Sequence, residues 1–228
     1  IMWAIFKKEL KTYFLSPIGY IAIGIFMFVY SVFFYLTTIM PGSVDMGNLY
    51  YATARYGLLL MVPLLTMRMF SEERKNGTEQ LLLTSPRSVT SIVLGKFLAA
   101  IIVILITVIL SAIYSIIVSF LGDINIPILL TNILGFILVA MAATSIGMLA
   151  SSITENQIIS AIITFVVLVA PWFLVDLSTV FSSINLMDQF MRFPYGVISI
   201  SDVISLVSIT IMCILITIVL IKRRKAVK

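Results

Sequence analysis

Histidine is absent from this 228-residue chain, and cysteine occurs once, at Cys213. Without imidazole the chain cannot itself supply a Ser-His-Asp triad, a Cys-His dyad or a histidine-ligated metal. A single cysteine excludes an intrachain disulfide, and its place in an apolar run indicates a small buried hydrophobic residue. These absences disfavour intramembrane proteases and zinc enzymes.

Charge is also scarce. Charged residues make up 11% of the chain, whereas hydrophobic residues make up 61% and the mean hydropathy is +1.17. Soluble domains carry roughly a quarter charged residues. The composition therefore indicates an integral membrane protein, which we interpret as one transmembrane domain over 1–228. Membrane topology accounts for the net charge of +5 without a nucleic-acid partner.

Six apolar segments are long enough to cross a bilayer, which takes about 20 mostly apolar residues. The third is too long for one perpendicular crossing, so we expect it to begin as cytosolic helix near Lys96 or to tilt. The predicted fold is all-α, a polytopic membrane protein with six transmembrane helices. The predicted spans are Ile18–Ile39, Leu49–Met69, Val89–Leu121, Pro127–Ser152, Gln157–Val175 and Val203–Ile221.

The basic residues predict the orientation of these spans. All lysines and arginines except Arg55 and Arg192 lie on the side that holds both termini. Positively charged residues concentrate on the cytoplasmic side of membrane proteins. The sequence therefore predicts a multi-pass protein of the inner or plasma membrane, with cytosolic termini and a cytosolic loop over 70–88.

The first residues predict an amphipathic helix along the inner leaflet, over about Met2–Phe14. At 100° per residue its apolar side chains cover about a third of the circumference, with lysines on the flank. A full-length apolar run without a small-residue cleavage site follows, which is not typical of a signal peptide. Two interpretations of this helix stay open: a topogenic anchor, and a helix with a mechanical role. The residues concerned are Trp3, Phe6, Leu10, Tyr13 and Phe14 on the apolar face, and Lys7, Lys8 and Lys11 beside it.

On the opposite side, the segment 176–202 is longer than a hairpin needs and is half apolar. We expect it to form short helices half-immersed in the outer leaflet. None of the six spans carries a charged residue at mid-depth, which disfavours an ion-coupled carrier. Arg55 comes nearest, on the outer half of the second span. We interpret it either as a topological or headgroup contact or as a residue of the substrate pathway.

The loop between the second and third spans is a charged segment between two long apolar ones. Gly77 interrupts the helix that continues from the second span, Thr78 can cap a new one, and Pro86 ends it. The pattern predicts a helix of about two turns over Glu79–Thr84, whose run of three leucines is too apolar to be left in water. Such a helix, joined to two spans, suits a groove on a soluble partner.

Several segments of the chain resemble the permease subunits of ABC-2-type (type V) ABC transporters, most closely the gliding-motility-type branch. The longest segment is the most specific, and the others are weak alone. The segments are Phe6-Lys-Lys-Glu-Leu-Lys11, Ser16-Pro-Ile-Gly-Tyr20, Thr66-Met-Arg-Met-Phe-Ser-Glu-Glu-Arg-Lys-Asn-Gly-Thr-Glu-Gln-Leu-Leu-Leu-Thr84, Ile92-Val-Leu-Gly-Lys-Phe97 and Thr154-Glu-Asn-Gln157.

The resemblance implies a half-transporter that works as a dimer of permeases, identical or related, beside two ABC ATPase subunits that hold ATP and magnesium. The first helix would be the connecting helix, Thr78–Thr84 the coupling helix, and 176–202 the outer re-entrant helices. The path would run between the two permeases, lined largely by their first, second and fifth spans. The residues that the resemblance assigns to ATPase docking are Glu72, Glu73, Gly77, Thr78, Glu79 and Leu82.

The chain has no G-x-x-x-x-G-K-[ST] phosphate loop, because Gly95-Lys96 lacks the upstream glycine and the following hydroxyl. We therefore expect no catalytic residue, cofactor or metal in this chain, which is not itself an enzyme. The predicted function is ATP-driven export of an amphipathic or hydrophobic substrate. Two alternatives stay open: a mechanical ABC complex that acts on an outer partner without moving a solute, and an ATP-independent scaffold or lipid scramblase.

Overall fold

The computed structural model describes residues 2–42, 45–79, 88–120, 122, 125–174 and 185–227. The first helix, α1, is Met2–Leu15, and Ser16 separates it from α2, Pro17–Phe34. Proline is well placed at the start of α2, where a backbone N–H has no partner within the helix. A π-helical turn over Tyr35–Ile39 continues α2.

The next helical segment runs from residue 46 to 66 and changes its pitch on the way. Helix α3 (Met46–Ala52) passes through a π-helical turn (Thr53–Gly57) into α4 (Leu58–Thr66). Asp45 caps α3, since its carboxylate accepts a hydrogen bond of 3.0 Å from the backbone N–H of Asn48. Single π-helical turns inside α-helices occur frequently at functional sites.

The remaining elements are four longer helices and three short ones. Ser88 and Asn125 cap two of the long ones through hydrogen bonds from backbone N–H groups. In chain order the elements are α5 (Ser71–Lys75), α6 (Val89–Ser119), α7 (Ile126–Ile153), α8 (Gln157–Leu174), α9 (Leu186–Phe190), a 3₁₀ turn (Phe193–Tyr195) and α10 (Ile200–Val227).

Four helices of the described chain are long and apolar enough to cross a membrane, and they match the first, third, fourth and sixth predicted spans. The second predicted span corresponds to α3 and α4, which the π-helical turn divides. The fifth corresponds to a shorter apolar helix, Gln157–Phe173. A helical membrane architecture is thus confirmed over the described residues, while the count of six spans stays a prediction. The four are Pro17–Ile39, Val89–Ser119, Ile126–Ile153 and Ile200–Lys225.

Helix α7 lies at the centre of the bundle and packs against α4, α6, α8 and α10. Its small residues allow close approach, as in Gly147, where an added Cβ would lie 2.3 Å from the Oγ1 of Thr66. Ala143 and Ser151, one turn away on either side, are also buried. The crossing of α4 over α7 therefore depends on the missing side chain at Gly147.

The end of the bundle opposite the 70–88 loop is closed by short helices, as expected for the segment 176–202. The rings of Phe190 and Phe193 are fully buried and stack 5.8 Å apart. Helix α9 and the 3₁₀ turn pack on α7. Residues 175–184 lie outside the described part of the chain, and the position of this segment in the outer leaflet stays a prediction.

Helix α1 packs along α6, and part of its predicted apolar face contacts protein. Tyr13 is buried and donates a hydrogen bond of 2.9 Å to the carbonyl of Leu65. Burial raises the pKa of the Tyr13 hydroxyl, so it remains a donor. Trp3 is 62% exposed, with Phe6 stacked on its ring and Lys7 Nζ 5.5 Å from its centre.

Replacing Gly147 by leucine should force α4 away from α7 and destabilise the protein by about 1–3 kcal/mol or more, as overpacking does. The matched control is Gly24→Leu, since an added Cβ at Gly24 meets nothing within 4 Å. Thermal unfolding in detergent, followed by fluorescence-detected size exclusion, compares the two. Equal melting temperatures for both variants would show that the close crossing is not a constraint.

Candidate functional site

The charged loop begins on a pair of buried serines. Ser151, near the end of α7, accepts hydrogen bonds at its Oγ from the backbone N–H groups of Phe70 (3.0 Å) and Ser71 (3.2 Å). The Ser71 hydroxyl donates to the Ser151 carbonyl (3.1 Å), and both serines are fully buried. These bonds satisfy backbone groups at the start of α5 that have no partner within that helix. They fix the start of α5 to the end of α7.

A buried lysine joins this loop to two further helices. The Lys96 side chain, on α6, is 2% exposed, and its Nζ lies 2.9 Å from Glu73 Oε1 and 3.2 Å from Glu9 Oε1. Lys8, largely exposed, approaches the same two carboxylates at 3.9 and 3.6 Å. One buried cation therefore holds carboxylates from α1 and α5 against α6. Removing one partner of such a group leaves an uncompensated buried charge.

Arginines connect the far side of the loop to α7 and α10. Arg74 Nη2 lies 2.6 Å from Glu155 Oε1, and its Nε lies 3.6 Å from Glu79 Oε2. Arg224, on α10, lies 3.3 Å from Glu79 Oε1 and donates a hydrogen bond of 2.5 Å to the carbonyl of Ser152. Glu79 therefore lies between two arginines, immediately before the residues 80–87 that the structure does not describe.

The two arginines also complete the end of α7. Arg74 Nη1 donates to the Ile153 carbonyl at 2.9 Å, next to the Ser152 carbonyl that Arg224 occupies. The last carbonyls of a helix lack partners within it and attract cations. The end of α7 is thereby joined to the loop and to α10. We call the residues of these contacts the loop base: Glu9, Ser71, Glu73, Arg74, Glu79, Lys96, Ser151, Glu155 and Arg224.

The three glutamates among the predicted docking residues pair with cations of the same chain. Glu72 binds Arg68 through two hydrogen bonds of 2.6 and 2.5 Å, a bidentate pair. Glu73 and Glu79 belong to the loop base. Their contacts with an ATPase stay predictions, since the structure contains no partner against which to test them.

Two of the other predicted docking residues, Gly77 and Thr78, are exposed and follow α5. Gly77 has a φ of +70°, the left-handed conformation that the predicted helix break requires. Thr78 is exposed, and its hydroxyl donates to the Glu73 carbonyl at 3.3 Å. Leu82 and the rest of the predicted coupling helix after Glu79 lie outside the described residues.

The sequence did not predict which residues fix the loop to the other helices. Glu155 stands in a segment that carried the family resemblance, and Arg224 in the basic run that indicated topology, so each had another interpretation. The contacts join residues 80, 81 and 145 positions apart. No local pattern indicates pairing over such distances. The unassigned residues are Glu9, Lys96, Ser151, Glu155 and Arg224 outside the loop, and Ser71 and Arg74 within it.

Arg55 lies apart from the loop base, in the π-helical turn before α4. Its guanidinium carbon is 4.5 Å from the centre of the Trp172 ring and 5.6 Å from that of Tyr56. Aromatic faces attract a cation at this separation. The structure thus keeps Arg55 on the second predicted span and places it against the fifth.

Four described helices are of transmembrane length. The charged loop is joined to three of these, α6, α7 and α10, and to the shorter α1. This arrangement defines a helical membrane protein with a charged loop fixed to its bundle. The sequence model described as ABC-2 family transporter protein matches residues 58–224. The chain belongs to this family of membrane transporter proteins. The matched region includes the loop, Lys96, Glu155 and Arg224.

Membership of this family implies a permease subunit of an ABC transporter, which works with an ABC ATPase in a membrane complex. No curated protein matches the chain. The family match does not resolve the gliding-motility-type branch, which stays a prediction.

Replacing Lys96 by methionine should destabilise the protein by about 3–5 kcal/mol, because Glu9 and Glu73 then lose their buried cation. Lys11→Met, at an exposed position of α1, is the matched control. Thermal unfolding in detergent measures both.

The triple variant Lys96→Met, Glu9→Gln, Glu73→Gln separates charge from packing. It should recover most of the lost stability, since neutral groups of similar shape often replace buried ion pairs at little cost. A triple variant no more stable than Lys96→Met would show that lysine packing, and not charge balance, holds the loop base.

Proposed function

We propose that this chain is the permease subunit of an ATP-driven ABC-2-type transporter that exports an amphipathic or hydrophobic substrate. The observation that carries the proposal is the loop base, which joins the charged loop to α1, α6, α7 and α10. A soluble subunit that moves the loop therefore moves whole helices. A separate ATPase, with ATP and magnesium, supplies the energy, and this chain contributes no catalytic group.

The tip of the loop is the surface offered to the ATPase. Residues 75–78 are exposed, whereas Glu72, Glu73 and Glu79 are held by cations of the same chain. In this proposal Gly77, Thr78 and Leu82 contact the ATPase directly within the coupling helix Thr78–Thr84. The three glutamates set the position of that helix and contribute at its edge.

The loop base gives the coupling a physical route. Closure of two ATPase subunits on ATP displaces the coupling helices, and the buried ion pairs transmit the displacement to the helices of each permease. Two such permeases then rock between two packings of one bundle, a shift of population driven by nucleotide. Helix α1 acts as the connecting helix along the inner leaflet, with both termini cytosolic.

An apolar groove supports the proposed cargo. It has a volume of about 360 Å³, within the range of small-molecule sites. The groove lies between α2, α4 and α8, which correspond to the first, second and fifth predicted spans. A second permease facing this groove would enclose a path between the two chains. Its lining residues are Ile25, Leu59, Leu60, Pro63, Leu64, Ala161, Ile162 and Phe165.

Leu82→Ala should weaken binding of the ATPase roughly tenfold or more, as truncation of a central apolar anchor does. The matched control is Leu130→Ala, a leucine that is 61% exposed near the start of α7. Pull-down of each variant in mild detergent, with native mass spectrometry of the complex, gives the binding and the subunit ratio. Capture of no ATPase by the unmodified chain would favour the scaffold or scramblase alternative.

A transport assay distinguishes export of a solute from mechanical work on an outer partner. The chain, reconstituted with its ATPase in proteoliposomes, should move an amphipathic substrate in the presence of ATP, and vanadate should stop the movement. ATP hydrolysis without movement of any solute, together with a bound outer protein, would instead indicate a mechanical complex.

A further inference from the structure

Arg55 is a cation placed deep in an apolar bundle. At about 1.5 Å per residue, it lies about 15 Å along the helical segment from Asp45 and about 20 Å from Arg68. The hydrocarbon core of a bilayer is about 30 Å thick, so these distances put Arg55 well inside the second predicted span. An ionised residue at such a depth is costly to place there and usually has a functional partner.

Aromatic rings hold Arg55, but within the described chain no acid pairs with it. The Trp172 ring lies under the guanidinium, and Tyr56 packs edge-on against Trp172 with ring centres 6.2 Å apart. The Nε of Arg55 is buried and lacks a hydrogen-bond acceptor among the described residues. A guanidinium offers five N–H donors in a fork that suits a carboxylate or a phosphate. The site thus presents a positioned donor without an anion.

Arg55 also lines a small cavity. Its volume is about 20 Å³, room for one oxygen-sized group. Apart from Arg55 its lining is apolar, with Leu58 and Leu59 on one side, Leu168 and Trp172 on another, and α7 and α9 closing it. The cavity is therefore large enough for one oxygen of an anionic group.

The cavity and the apolar groove are neighbours between α4 and α8, and we call the two together the seam. Leu59 lines both of them. On α8, the groove residues Ile162 and Phe165 and the cavity residues Leu168 and Trp172 follow one another at intervals of three or four, so they share one helix face. The cation lies at one end of this seam, and the apolar groove extends from it by several turns.

We propose that this seam binds an anionic amphiphile, with its carboxylate or phosphate on Arg55 and its hydrocarbon chain in the groove. The inference deepens the proposed function, on which it rests for the view that the bound amphiphile represents the exported class. Charge complementarity selects the anion, because the guanidinium has a buried donor, Nε, that no described residue accepts. The low dielectric of the bundle strengthens the pairing.

Quenching of Trp172 fluorescence by brominated lipid chains tests the inference without transport. Trp3 and Trp172 are the two tryptophans of the chain, so the Trp3→Phe variant leaves Trp172 as the reporter. The probes are brominated phosphatidylglycerol, brominated oleate and brominated phosphatidylcholine, each added to nanodiscs of unlabelled phosphatidylcholine. We expect the two anionic probes to quench at about tenfold lower mole fraction than the zwitterionic probe.

Charge variants show whether the selectivity resides at Arg55. Arg55→Gln should abolish the preference for the anionic probes, and Arg55→Lys, which keeps the charge without the fork, should leave part of it. The matched control is Arg192→Gln, which removes a cation with a 61% exposed side chain and should leave the preference intact. Equal quenching by all probes, or a preference that survives Arg55→Gln, would overturn the inference.

The probes and one further variant separate the sources of the anion. Quenching by phosphatidylglycerol alone indicates a phosphate headgroup, and quenching by oleate alone a free carboxylate; either agrees with the inference. Asp176, four positions after Trp172, lies outside the described residues. The preference for anionic probes is therefore also compared between chains with Asp176 and with Asp176→Asn. If only the Asp176→Asn variant shows the preference, Arg55 pairs with Asp176 of its own chain and the inference fails. Loss of the preference with ATPase binding intact leaves the transporter proposal standing.

Discussion

The buried pairing of Lys96 with Glu9 and Glu73 is the interaction on which the loop end of the molecule depends. It places one cation, almost fully buried, between carboxylates from two other helices. In an apolar bundle such charges are tolerated only together, because each would be strongly destabilising alone. Helices α1, α5 and α6 are therefore held as a unit, and a partner that displaces α5 displaces the other two.

Helix α7 provides the second constraint. Its small residues let α4 approach closely at Gly147. Its last turn binds the loop through Ser151 and the carbonyl of Ile153, and binds α10 through the carbonyl of Ser152. The side chains of the loop thus complete a helix end that would otherwise leave backbone carbonyls without partners. The same residues that fold the bundle also fix the loop, which suits a permease whose energy comes from outside the membrane.

The sequence predicted the helical class, the charged loop and its break at Gly77, and its motifs indicated the family that the match over 58–224 then showed. It did not predict the partners of the glutamates. Glu73 and Glu79 stand in a motif that indicates docking, and only the packed helices bring Lys96 and Arg224 to them. The second predicted span is also less regular than its hydropathy suggested, since a π-helical turn divides it at Arg55.

Whether a feature could be predicted depends on how far apart in the chain its residues lie. Hydropathy, charge asymmetry and a glycine at a helix break are properties of neighbouring residues, so the sequence by itself determined the membrane class, the helices and the site of the loop. The ion pair of Glu79 with Arg224 joins residues more than a hundred positions apart, and so does the contact of the Arg55 guanidinium with the Trp172 ring. Only the tertiary structure decided these pairings, because they arise from the way in which the helices pack.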